Sequence, residues 1–128
     1  MIKKLLTLMM TLCAFSGCAA SADNSYTQIS QEKAKEIMDT QKYELILDVR
    51  EQEEYYSGHI SGATLFPLGE INETSASKMI PEKDSVVLIY CRSGNRSKKA
   101  AEKLVEMGYT KIYEFGGITT WPYEIVMK

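Results

Sequence analysis

Cys91 ends the apolar run Val86-Val87-Leu88-Ile89-Tyr90 and opens the segment Cys91-Arg92-Ser93-Gly94-Asn95-Arg96-Ser97, with a helical pattern behind it running to Met107. A buried strand that passes through a short polar loop into a helix puts its last residue where open α/β sheets bind ligands. Loop N–H groups can curl around a sulfur there, and the helix N-terminus adds a partial positive charge. Arg92 and Arg96 add whole charges. All of these favour thiolate over thiol, and the thiolate is the nucleophile. The pattern specifies an activated cysteine beside a cradle for a small anion. An inert buried cysteine is the plain alternative, but it would not call for this loop chemistry.

Spacing narrows the chemistry. Four residues separate Cys91 from Arg96, and the sixth position after Cys91 is Ser97. A cysteine phosphatase generally needs a loop one residue longer, closed by an arginine that grips the phosphate bidentately. A tighter ring suits a smaller group, such as the outer sulfur of a persulfide. In this shorter loop the chain resembles the rhodanese (sulfurtransferase) family. Leu45-Ile46-Leu47-Asp48-Val49-Arg50, Glu53, Gly58-His59-Ile60 and Gly62-Ala63 look like that family's first signature, and Gly116-Gly117 with Trp121 like its last. The resemblance spans about residues 26–125. Ser61 stands where a proline is common. Ser93 stands where several thiosulfate-using relatives carry a lysine, which leaves the sulfur donor open.

The resemblance implies a rhodanese-like three-layer α/β domain with a mostly parallel central sheet flanked by helices. It also implies transfer of sulfane sulfur from an anionic donor such as thiosulfate to cyanide or a thiol, through a persulfide on Cys91. That two-step covalent route predicts ping-pong kinetics. The amides of Arg92, Ser93, Gly94, Asn95, Arg96 and Ser97 are expected to hold the persulfide. Arg92 is expected to orient the donor and Arg96 to hold loop charge. Ser97 either donates a hydroxyl to the sulfur or caps the following helix. Asp48 and Arg50 are expected near the active loop, as an ion-pair network with Glu53 or as part of the site. His59 reads as structural, because an ionised thiolate needs no general base. Trp121 and Tyr123 read as core or lid, and Gly116-Gly117 as a tight turn. No cofactor is expected, and one histidine with one free cysteine cannot supply a standard zinc set. Two other classes stay open: a rhodanese module that carries persulfide or docks onto a partner, and a small phosphatase or arsenate reductase.

Lys3-Lys4 followed by apolar Leu5 to Phe15 read as a signal peptide, too short for a membrane span of roughly 20 apolar residues. Phe15-Ser16-Gly17-Cys18 looks like a lipobox with lipidation of Cys18, and Ala20-Ser21-Ala22 offers ordinary cleavage instead. The expected plan is a signal peptide at 1–17, a lipid-attachment cysteine and tether at 18–25, and one domain at 26–128. An exported protein held in the cell envelope or periplasm follows, with the membrane contacted through the lipid alone, or a soluble exported form. Cys13 leaves with the leader and Cys18 takes lipid, so Cys91 is the one free thiol. Removing the leader moves the net charge from −2 to about −4. This mild acidity gives no sign of nucleic-acid binding and makes the loop a local positive site for a small anion. Monomer is the default for one small domain.

Along the chain, Ser30 is placed to cap a helix carrying Ala34, Ile37 and Met38. Strands are expected at Glu44–Val49, Ala63–Phe66, Ser85–Tyr90 and Lys111–Phe115. Helices are expected at Glu51–Ser57, Leu68–Met79 and Asn95–Met107, with Gly108 at C′. Ile118–Val126 is expected to close the fold, with Pro122 limiting any helix. Strands alternating with helices imply a parallel sheet covered on both faces.

Overall fold

The apolar runs and one short polar edge strand form one sheet of five parallel strands in a computed structural model that describes residues 25–127. The leader and Cys18 lie outside the described residues. Strands β1 (Thr27–Gln28), β2 (Leu45–Asp48), β4 (Thr64–Leu65), β5 (Val86–Cys91) and β6 (Lys111–Gly117) lie in the order β1-β6-β5-β2-β4. The central strand β5 is the most apolar stretch, as its burial on both faces demands. A second, two-stranded sheet pairs β3 (His59–Ile60) antiparallel with β7 (Ile125–Val126).

Alternation along the strands sorts the core into two layers. Val87, Ile89 and Cys91 of β5 join Leu47, Val49 and Ile112 on one face. Helices α3 (Glu73–Met79) and α4 (Asn95–Glu106) cover that face with Ala76, Ala100, Ala101 and Leu104. Leu88 and Tyr90 point the other way, with Ile46, Phe115, Trp121, Ile60 of the small sheet and Ala34 of α1 (Gln31–Asp39). The three-layer α/β architecture is thus present.

Local signals account for the boundaries. The Ser30 hydroxyl accepts from Lys33 N–H at 2.9 Å and caps α1. Gly108, at φ 102°, follows α4 in the left-handed conformation that ends helices. Helix α2 (Gln52–Tyr56) is the expected short acidic helix. The single helix expected over Leu68–Met79 is broken: a 3₁₀ turn, Leu68–Glu70, ends at Ile71, and α3 starts afresh. Asn72 is the cause, because its carboxamide accepts from Ser75 N–H at 2.9 Å while the Ser75 hydroxyl accepts from Asn72 N–H at 2.9 Å. That capping box needs extended backbone at Asn72. Strand β6 also continues past Phe115 to Gly117.

Candidate active site

The parallel register brings the candidate residues to one edge of the sheet. Asp48 lies opposite Tyr90, and Cys91 opposite Gly117. From Cys91 the chain turns through Arg92 and Ser93 into Gly94, whose φ of 106° makes a non-helical N-cap for α4. The turn aims Gly94 N–H at Cys91 Sγ, at 3.0 Å. The next N–H groups, those of the first turn of α4, have no intrahelical acceptor and carry the positive end of the helix dipole. Cys91 is buried, and the side chains of Arg92, Ser93 and Asn95 are exposed around it.

Two contacts fix this loop against β6. A Cβ on Gly117 would overlap the carbonyl of Arg92. The Arg92 carbonyl accepts from Thr119 N–H and from the Thr119 hydroxyl, at 3.2 and 3.1 Å. The tight turn expected of the glycine pair is seen at its edges, Gly116 taking a φ of 97° and a 3₁₀ turn, Ile118–Thr120, starting directly after Gly117. The pair ends a strand, and Gly117 is there because the active loop lies directly on its backbone.

Ser97 resolves one of the open alternatives. Gly94 is the N-cap, so Ser97 does not cap α4 in that role. Its hydroxyl oxygen lies 3.4 Å from Cys91 Sγ and 2.5 Å from Oε2 of Glu114. Glu114 is 1% exposed. Its carboxylate also accepts from Gly116 N–H at 3.0 Å and from the Gln28 carboxamide at 3.1 Å. Sequence reasoning missed this residue. The available signal was an acidic side chain at an inward position of an otherwise apolar strand, Ile112-Tyr113-Glu114-Phe115.

Arg96 is committed to a protein partner. Its guanidinium donates to both oxygens of Glu54 at 2.8 and 3.0 Å, which joins α4 to α2. These bonds, opposed in part by burial, lower the Glu54 carboxyl from 4.5 to about 2. The same bonds raise Arg96. The expected network had Glu53 beside Arg50. Glu53 is instead exposed, and Glu54 pairs with Arg96. The reason is local: Glu54 is the third residue of α2 and also accepts from Glu51 N–H at 2.9 Å, so its carboxylate is held over the helix start.

Asp48 and Arg50 form their own buried unit. The Arg50 guanidinium donates to both Asp48 oxygens, the shortest contact being 2.7 Å, and to the Gly58 carbonyl at 2.7 Å. Tyr90 donates to Asp48 at 2.6 Å and accepts from Ile60 N–H at 3.0 Å. Burial opposes the charge on Arg50, but Asp48 outweighs it and raises the guanidinium. Burial and the Asp48 charge push the Tyr90 phenol up. The Nε–Nη2 edge of Arg50 is spent on Asp48, and Nη2 also reaches the Gly58 carbonyl, so this unit fixes the loop after β2. His59 does likewise: it is buried, stacks on Tyr55 with ring centroids 3.8 Å apart, and Nδ1 lies 3.0 Å from the Tyr55 carbonyl. Trp121 is core, edge-on to Tyr123.

Arg92 in the loop makes no ion pair among the described residues, nor does Lys98, whose Nζ lies close to Gly94. The arrangement can hold a negative sulfur on Gly94 N–H and the start of α4, with an exposed cation at Arg92 to receive an anion.

Known proteins share this sequence and fold. Residues 30–123 match the rhodanese-like domain family. The chain is 42% identical over 72 residues to the thiosulfate sulfurtransferase PspE of Escherichia coli, covering 56% of this chain and 68% of that one. It is 38% identical over 89 residues to the putative sulfur carrier protein YrkF of Bacillus subtilis, covering 70% of this chain and 46% of that one. A solved rhodanese with anions from E. coli superposes with a TM-score of 0.61 at 34% identity, covering 66% of this chain and 98% of the other. By the family match, the parallel sheet and the cysteine loop together, this chain belongs to the rhodanese-like domain family.

Proposed function

We propose that the protein is a sulfurtransferase that carries one sulfur atom on Cys91. The Cys91 thiolate attacks the outer sulfur of an anionic donor such as thiosulfate. A bond forms between Sγ and that sulfur, the donor's S–S bond breaks, and its electron pair leaves with sulfite. Cyanide or a thiolate then takes the outer sulfur and returns the Cys91 thiolate. The observation that carries this reading is Gly94 N–H on Cys91 Sγ at 3.0 Å, at the start of a helix whose first N–H groups have no intrahelical acceptor. The persulfide keeps the negative charge in that cradle after the first step. Arg92 steers the anion in, and Arg96, tied to Glu54, holds the loop's shape and charge.

A second reading has one specific support, the likeness to a putative sulfur carrier protein. On this reading the domain loads Cys91 and hands the sulfur to a partner protein. Intact-mass spectrometry of the domain and of Cys91→Ala, before and after thiosulfate and then cyanide, tests both. Sulfurtransferase action predicts one added sulfur on the wild type alone, lost as thiocyanate forms. Loading from a low-molecular-weight persulfide but not from thiosulfate favours the carrier. No adduct from any donor overturns both.

We also propose export, with residues 1–17 removed and Cys18 lipidated, and a monomeric domain on a short tether. Metabolic labelling with a radioactive fatty acid should mark the wild type and not Cys18→Ala.

A further inference from the structure

We infer that Glu114 is a positioning residue that sets the protonation of Cys91 through Ser97. The inference rests on Cys91 being the nucleophile of the proposed reaction. Three atoms make successive contacts from the active loop to β6: Cys91 Sγ to Ser97 Oγ at 3.4 Å, and Ser97 Oγ to Glu114 Oε2 at 2.5 Å. A serine hydroxyl has one hydrogen, and although the Gly94 and Gly116 carbonyls also lie 3.1 and 3.4 Å from Ser97 Oγ, the 2.5 Å contact to Glu114 is the shortest. While the Glu114 carboxylate takes it, the sulfur can interact with Ser97 only by donating its own proton. While the sulfur is a thiolate and takes the serine hydrogen, the carboxyl must donate to Ser97 instead. The two ends therefore cannot both present an acceptor to Ser97, and their protons are coupled.

The step balances without solvent. The S–H bond of Cys91 breaks and its proton goes to Ser97 Oγ, while the Ser97 proton goes to Glu114 Oε2. A thiol and a carboxylate become a thiolate and a carboxylic acid, and the charge moves from under β6 to the cradle at the start of α4. The surroundings favour that move. Glu114 makes no ion pair among the described residues. From β1 it faces the neutral Gln28 and lies near Tyr26, which in turn feels Glu102 of α4. On its own strand it meets Gly116 N–H, and from α4 it meets Ser97. From α1, Gln31 bonds the neighbouring carbonyls of Phe115 and Gly117 rather than Glu114. Among the described residues no ion pair compensates the carboxylate, whereas the sulfur, one residue before Arg92 in the chain, accepts from Gly94 N–H at the helix start. When the outer sulfur has left, the proton returns along the same path.

The test is the rate of Cys91 alkylation by iodoacetamide against pH, on the wild type, Glu114→Gln and Ser97→Ala. It reads the thiolate without requiring sulfur transfer. A coupled pair titrates in two steps, so the wild-type rate should pass through a plateau and fall again only when the pair takes a second proton. Glu114→Gln and Ser97→Ala should each lose that plateau and fall by about tenfold per pH unit from a single midpoint. If all three proteins give the same single-step profile, the coupling is overturned. If Glu114→Gln does not fold, a plateau in the wild type that persists in Ser97→Ala overturns it equally. Sulfur loading of Cys91 is measured on the same samples, so that loss of the plateau and loss of sulfur transfer are read separately.

Discussion

Arg92 and Arg96 are the same residue type in one loop, and the structure gives them different work. Arg96 spends both donor edges on Glu54, at 2.8 and 3.0 Å. Arg92 holds its place through its backbone, with the carbonyl gripped by Thr119, and its guanidinium makes no ion pair among the described residues. The proposed steering role makes Arg92→Ala a binding variant. Its KM for thiosulfate should rise about fivefold to tenfold at low salt with kcat little changed, and the gap from the wild type should narrow as ionic strength rises. An equal fall in kcat and kcat/KM would instead place Arg92 in the chemical step. Arg96→Lys should behave otherwise. It keeps the charge but not the two-pronged bond, so it should loosen the loop and cost about 1 kcal/mol in urea unfolding, with the loss absent in an Glu54→Gln background.

At the scale of elements, the active loop is held by what lies beneath it. Gly117 ends β6 directly under Arg92, and no side chain fits between them. Gly117→Ala must therefore push the loop off the strand, and should lose at least tenfold in sulfur loading and about 2 kcal/mol of stability. Normal loading in that variant would show that the loop tolerates displacement. Tyr90→Phe tests the other support. It removes the donor to buried Asp48 and the acceptor for Ile60 N–H, at about 2 kcal/mol, and near-wild-type thermal stability would show that this bridge is dispensable. These supports explain what could and could not be read from sequence. Strand β5, the cysteine loop and α4 were legible because a strong apolar run meets a polar turn and a periodic helix. Ser30 and Gly108 were legible as caps. Strand β1 was not, because Thr27–Gln28 is two exposed residues that owe their conformation to pairing with Tyr113 and Glu114. The small sheet was missed for a like reason: β3 and β7 are two residues each and find one another across the fold. Glu54 and Glu114 were missed because their partners, Arg96 and Ser97, are distant in sequence. The helical period marks Ser97 as inward without saying what it meets.

The whole molecule is tied together by buried or half-buried acids, so its stability should depend on pH in a direction that the Glu54 pair decides. Glu54 joins α2, which follows β2, to α4, which follows β5, across the mouth of the sheet. Its carboxyl is lowered from 4.5 to about 2, first by the Arg96 hydrogen bonds and against the opposing effect of burial. A lowered acid contributes stability that is fully present above the unfolded value and is lost as pH falls through the folded one. The window therefore runs from about 4.5 down to about 2. The pair is roughly a quarter to a third exposed, at 32% and 28%, so solvent screening cuts its contribution to about 1–2 kcal/mol. Urea unfolding of the wild type and Glu54→Gln should differ by that amount at neutral pH. The difference should shrink through the window and vanish near its lower end, where the wild-type carboxyl is protonated and the two side chains become alike. A difference that stays constant across the window would mean that the bond's geometry, not its charge, holds α2 to α4. The same curve bears on function, because a loop released in acid should lose Gly94 N–H from the sulfur. Sulfur loading should then fall with stability through the window in the wild type, and should already be low and nearly flat across it in Glu54→Gln.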